Sequence, residues 1–107
     1  MKRFAYIWEY IVKEEYLDDF KQVYGADGDW VKLFKKAEGY HFSELHQDIS
    51  NPNRFVSVDY WNSRADRDSF QKQFSEEYKI LDKRCEKFTI QEKPIGDFNC
   101  FTGRLSS

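Results

Sequence analysis

The chain has 107 residues, enough for one domain with a modest core. Its 17 Lys and Arg stand against 19 Asp and Glu, a net charge of −2 with the two signs interleaved, which excludes the positive stripe that nucleic-acid binding needs. No apolar run is long enough to span a bilayer, and the basic start Met1-Lys2-Arg3 leads into a stretch that Glu9 interrupts, with no small-residue cleavage site. A cytoplasmic protein with no membrane or nucleic-acid partner is therefore expected.

Aromatic residues make up 19% of the chain, and ten Phe, seven Tyr and three Trp must mostly find cover. Cys85 and Cys100 lie far apart and without metal-ligand spacing, so thiols in a reducing compartment are expected.

Residues 4–12, FAYIWEYIV, are β-branched and aromatic and predict a first strand. Phe4, Tyr6, Trp8, Tyr10 and Val12 share one face, and Ala5, Ile7, Glu9 and Ile11 the other, so both faces are largely apolar. Residues 14–24 predict a helix with Leu17, Phe20 and Tyr24 on its stripe and Gly25 as its stop. Asp29 is placed to cap a short helix running to about residue 37, with Trp30, Leu33, Phe34 and Ala37 on its apolar side. Residues 40–47 and 53–61 read as a hairpin whose link is rich in turn formers. Ser63, with Asp66 three residues on, caps a long helix over residues 63–87. Its stripe is Phe70, Phe74, Tyr78, Leu81, Cys85 and Phe88, and Ser75 could start it afresh. Residues 88–94 return as a last strand. Residues 95–107 read as a tail that docks at its start and frays at Leu105-Ser106-Ser107.

The order strand, helix, strand, strand, helix, strand is the ferredoxin-like βαββαβ arrangement, an α+β fold with both helices on one face of a four-stranded antiparallel sheet. One domain is expected over residues 1–107, its core at about 4–98 and a short tail at 99–107. A first strand apolar on both sides needs its second face covered, and the chain has no spare element for it. A second copy, packed sheet against sheet, is the economical partner.

Trp8-Glu9-Tyr10, Tyr24-Gly25 with Gly28, Trp30 and Leu33-Phe34, Glu38-Gly39-Tyr40, Asp59-Tyr60-Trp61-Asn62-Ser63 and Tyr78, Leu81-Asp82 and Cys85 together carry a resemblance. Over roughly residues 4–98 the chain resembles the antibiotic-biosynthesis-monooxygenase-like proteins of the dimeric α+β barrel superfamily. The resemblance implies a homodimer with a dry pocket between helices and sheet. It also implies a cofactor-independent reaction in which a phenol-like or polyketide-like substrate loses a proton and its carbanion meets O₂. A Trp closing the third strand is a pocket residue of the family, and Trp61 matches it. The Asn that some active members place four residues earlier is Ser57 here, a departure from the family pattern. The haem-degrading branch uses a strand-one Asn and a helix His. The first strand offers Trp8, Glu9 and Tyr10 instead, and residues 63–87 contain no His, which argues against that branch.

The candidate catalytic groups are His46, Tyr10 and Trp61. His46, expected to share a face with Tyr40 and Phe42, could act as general base, while His41 and Ser43 take the other side. Tyr6, Trp8, Trp30, Phe34, Tyr60, Phe74 and Tyr78 are expected to line the pocket around a small hydrophobic or aromatic molecule. Glu9, Glu44, Asp59 and Glu92 are strand carboxylates, to be raised in pKa if clustered or ion-paired with Arg54 or Lys93 if not. Neither metal nor cofactor is expected: no phosphate loop, dinucleotide fingerprint or calcium loop is present. The competing reading is a non-catalytic homodimer that binds a small ligand or serves a structural role.

Overall fold

The computed structural model describes residues 3–101. Strand β1 (Arg3–Val12) leads through a 3-10 turn (Glu14–Tyr16) into α1 (Leu17–Tyr24) and α2 (Asp29–Phe34). Strands β2 (Tyr40–Gln47) and β3 (Arg54–Trp61) follow. Helices α3 (Arg64–Gln73) and α4 (Ser75–Cys85), a 3-10 turn (Glu86–Phe88) and β4 (Thr89–Cys100) complete the chain. The sheet order is β2-β3-β1-β4 with every pair antiparallel, so the fold is α+β and ferredoxin-like.

The alternation read for β1 decides where the core sits. Phe4, Tyr10 and Val12 are buried beneath the helices, as are Phe55 and Trp61 of β3. Phe20 from α1, Leu33 and Phe34 from α2, Phe70 from α3 and Leu81 and Cys85 from α4 close over them. The opposite face carries Ile7 paired with Val58 and Glu9 with Val56. Phe42 and Phe98 remain 41% and 45% exposed. Within this apolar surface Glu9 is held by Arg54 at 2.6 Å and Lys93 at 3.3 Å, and Arg54 also reaches Asp48 at 3.0 Å. The Arg54 bond outweighs the opposing effect of burial and holds the Glu9 carboxyl below the usual range.

Ser63 accepts the Asp66 amide hydrogen bond, at 3.1 Å, and the long helix breaks at Phe74 and restarts at Ser75, the position read as a possible fresh start; other local expectations change. Gly28 rather than Asp29 is the N-cap of α2, which ends at Phe34; Asp29 sits in the first turn and pairs with Arg84 at 3.1 Å. The last strand does not stop at Pro94 but continues to Cys100, with the register against β1 shifting between Ile7 and Trp8. Proline is tolerated because β4 is an edge strand, and the bulge absorbs the residue that would break the ladder. The fraying expected at Leu105-Ser106-Ser107 lies outside the described residues. Cys85 and Cys100 are not joined in a disulfide. Among the described residues, no helix is long and apolar enough to cross a membrane.

Candidate functional site

A cavity lies between the helices and the sheet. Period-two alternation on adjacent strands aims Tyr6, Trp8 and Tyr10 of β1 and Ser57, Asp59 and Trp61 of β3 into the same space, with Tyr6 opposite Asp59 and Trp8 opposite Ser57. Tyr24, Trp30 and Phe34 cover it from α1 and α2, and Arg67, Phe70, Tyr78 and Asp82 from α3 and α4. Glu92 of β4 closes one flank. Its volume is ≈ 60 Å³, measured as room for the centre of a water molecule. One water needs ~10–15 Å³ on that measure, so the space suits one small aromatic ring.

The walls are aromatic and mutually braced. Trp30 meets Tyr78 edge-on at 5.1 Å, Phe34 meets Phe70 at 5.3 Å, and Trp61 lies 5.2 Å from Phe70. Tyr10 packs 5.2 Å from both Phe20 and Tyr24. Such interlocking fixes ring orientation, which a binding site needs more than a plain core does.

The polar groups are few and placed at particular points. Asp59 accepts a hydrogen bond from Ser43 at 2.7 Å, and Ser43 Oγ lies 2.7 Å from the Tyr40 hydroxyl. Burial drives the Asp59 carboxyl up to about 6, against the Ser43 bond and the nearby Arg67 charge. Tyr10 shares a 3.2 Å hydrogen bond with Ser57, and burial pushes its phenol well above the ordinary value. Burial likewise raises Tyr78, and raises Tyr40 to about 12, so these hydroxyls stay protonated and serve as neutral donors. Glu92 is raised by burial against its 3.0 Å bond from Thr89, and Asp82 by burial and then by Glu86. Arg67 is buried, lies 4.1 Å over the Tyr6 ring, and is tied to Asp68 at 2.9 Å and Asp97 at 3.4 Å. Among the described residues the indole N–H of Trp61 has no hydrogen-bond partner, and that of Trp30 has only the Cys85 thiol.

Most of the residues expected around a pocket meet here: Tyr6, Trp8, Tyr10, Trp30, Phe34, Trp61 and Tyr78 all line the cavity. Three do not. Phe74 packs behind the wall, 5.6 Å from Phe70. Tyr60 projects from the far face, where its hydroxyl donates to Glu44 at 3.2 Å. His46 is the main correction. It lies outside the cavity with its side chain 61% exposed and bonds Glu44 at 3.4 Å. The cause is a register shift in β2 between Tyr40 and Phe42, which breaks the simple alternation. Tyr40 and Ser43 therefore turn inward together, and Phe42 and His46 turn outward. His41 is bonded to Asn62 at the surface. Glu9 and Glu44 are likewise far-face carboxylates with partners of their own.

Asp59 lines the cavity where His46 was expected. Its sequence signal was a carboxylate alternating with Phe55, Ser57 and Trp61, a face otherwise committed to the core. Arg67 had no comparable signal, because a single Arg in a charged helix reads as solvated. Among the described residues no three His, Cys, Asp or Glu side chains converge as a metal site.

Comparison with solved structures gives the same fold in several proteins. The cofactor-independent oxygenase SnoaB from Streptomyces nogalater superposes with a TM-score of 0.69 at 14% identity, covering 100% of both chains. A conserved protein from Methanosarcina mazei Go1 gives 0.63 at 15% identity, covering 92% of each chain. Protein SO0527 from Shewanella oneidensis gives 0.67 at 11% identity, covering 92% of this chain and 90% of that one. At such identities the likeness concerns the fold. Comparison with curated protein sequences finds no match. The family model for antibiotic biosynthesis monooxygenase matches residues 4–79, most of the chain and every strand and helix that builds the cavity except α4 and β4. On that match the chain belongs to the antibiotic biosynthesis monooxygenase family.

Proposed function

We propose that this protein is a cytoplasmic, homodimeric, cofactor-independent monooxygenase that oxidises a small aromatic compound in the cavity between helices and sheet, with Asp59 as general base. The observation that carries this reading is the place of Asp59, a half-buried carboxylate that lines the aromatic cavity, accepts the Ser43 hydrogen bond and is pushed up to about 6. A base tuned toward neutrality is what removal of a weakly acidic phenolic or benzylic proton requires.

The reaction is written for a methylene activated by an aromatic ring and a carbonyl. Asp59 takes a proton from the carbon, leaving an enolate whose oxygen is met by neutral donors, Tyr10 or the Trp61 indole N–H. The enolate gives one electron to O₂, and the resulting radical and superoxide join in a C–O bond. The peroxide anion takes up a proton, and loss of water leaves a carbonyl. One CH₂ and one O₂ become one C=O and one H₂O, so no external reductant enters. The aromatic walls keep solvent away from the carbanion. Ser43 fixes the Asp59 carboxylate, and Ser57, standing where active relatives place Asn, orients Tyr10. The exposed apolar sheet face, with Phe42 and Phe98 at its edges, supports the sheet-to-sheet dimer.

An oxygen electrode tests the reading. The wild-type protein with a one-ring arylmethyl ketone such as 4-hydroxyphenylacetone, and no added metal or flavin, consumes one O₂ per diketone formed. Asp59→Asn reduces the rate by roughly 10²–10⁴, the usual contribution of a positioned base. Full activity in Asp59→Asn removes the assigned base. No O₂ uptake by the wild type favours the non-catalytic ligand-binding reading, which the Ser57 departure supports.

A further inference from the structure

The cavity carries more negative charge than the oxygenase chemistry uses. Three carboxylates surround it, Asp59 on β3, Asp82 on α4 and Glu92 on β4, and among the described residues none makes an ion pair. The cation beside them, Arg67, is engaged by Asp68 and Asp97. Glu86 adds a fourth negative charge in the field of Asp82 and Glu92. The Tyr78 hydroxyl lies within the field of Asp82, Asp59 and Glu92 together. The carboxylates do not converge on a single point, so they do not form a metal site. They are spread around electron-rich rings, among them Trp8, stacked at 6.3 Å on Tyr10. Faces of Trp and Tyr with carboxylates behind them are the arrangement that recognises organic ammonium ions. The second observation is independent of charge. Trp61 is 1% exposed and lines the cavity, and among the described residues its indole N–H has no partner, a donor that calls for an acceptor on a ligand.

We infer that the cavity takes an aromatic organic cation: a ring against Trp8, Tyr10 and Tyr78, a protonated amine toward Asp82 and Glu92, and a phenolic or carbonyl oxygen toward the Trp61 N–H. The inference rests on the reading that this cavity is the substrate site, and it narrows the substrate class to aromatic amines bearing oxygen. An anionic substrate would bring its charge against three carboxylates, Asp59 and Asp82 half-buried and Glu92 exposed at the flank.

Three probes of one shape separate charge from fit: tyramine, 2-(4-hydroxyphenyl)ethanol and 4-hydroxyphenylacetate, titrated calorimetrically at pH 7.5. Tyramine binds roughly tenfold tighter than the neutral alcohol, the scale of a desolvated cation–π contact with a charge-assisted hydrogen bond, and the anion binds weakest. In Asp82→Asn/Glu92→Gln the tyramine advantage over the alcohol disappears. The wild-type series alone decides the matter if that variant folds poorly. Equal binding of the three, preference for the anion, or no binding by any of them overturns the inference and leaves O₂ uptake with other aromatic compounds standing. The amine preference without O₂ uptake overturns the oxygenase reading and leaves this one in place.

Discussion

Replacing Asp59 by Asn makes the protein more stable at neutral pH, and the size of the effect follows from the site. The carboxyl is raised from 3.8 to about 6 in the folded state, so folding favours its protonated form. Stability is therefore lost as pH rises from about 4 to about 6, and the full loss persists above that window. At about 1.4 kcal/mol per pH unit, the rise corresponds to about 3 kcal/mol of destabilisation at pH 7. Asparagine removes the charge and still accepts the Ser43 hydrogen bond through its carbonyl oxygen. Its NH₂ group needs partners in the same buried place and returns about 1 kcal/mol of that gain. The net expectation is roughly 2 kcal/mol of added stability at pH 7, a rise in Tm of roughly 8–16 °C for a domain of this size. Urea unfolding of both proteins at pH 4, 5, 6 and 7 measures it. The advantage of Asp59→Asn grows across this range and then levels. A difference that stays constant from pH 4 to pH 7, or a less stable variant at pH 7, refutes the claim that Asp59 is held as a strained carboxylate. Greater stability in a variant that loses activity is the trade-off expected where a charge is buried for chemistry.

Three further outcomes follow from the packing. Phe70→Ala removes a ring 2% exposed that braces Phe34 and Trp61, and costs about 3–5 kcal/mol by urea unfolding at pH 7. Gly39→Ala is also destabilising, by at least about 1–2 kcal/mol, because Gly39 has φ +87° and a Cβ there would sit 2.6 Å from the Asp66 carboxylate; thermal unfolding reports it. Ile7→Glu places a second carboxylate near Glu9 on the far sheet face; the proposed sheet-to-sheet dimer predicts a 13.0 kDa monomer for the variant and a dimer for the wild type in sedimentation velocity.

The element order and most of the cavity could be read from the chain because they depend on periodicity. The period of two in β1 placed Tyr6, Trp8 and Tyr10 on one face, and the same period in β3 placed Ser57, Asp59 and Trp61 beside them. What escaped the reading depends on single residues out of phase. The register shift after Tyr40 reverses the rest of β2, which sends His46 outward and brings Ser43 to Asp59. The bulge beside Pro94 extends β4 as far as Cys100, beyond a residue that ordinarily ends a strand. Asp59 was visible as a strand carboxylate, but its burial and its proximity to Arg67 depend on helix packing that no local pattern encodes. Glu92 and Asp82 meet the same space from β4 and α4, a contact between distant segments.

The most direct test of the central claim is the pH dependence of O₂ consumption per mole of an oxidisable aromatic substrate, without metal or flavin, for the wild type and for Asp59→Asn. A base must be ionised to act, so wild-type kcat/KM rises through about pH 6 to a plateau with one O₂ consumed per product, and the variant lacks both the rise and the activity. A rise of the same shape in Asp59→Asn, or a wild-type profile that is flat from pH 5 to 8, contradicts the assignment.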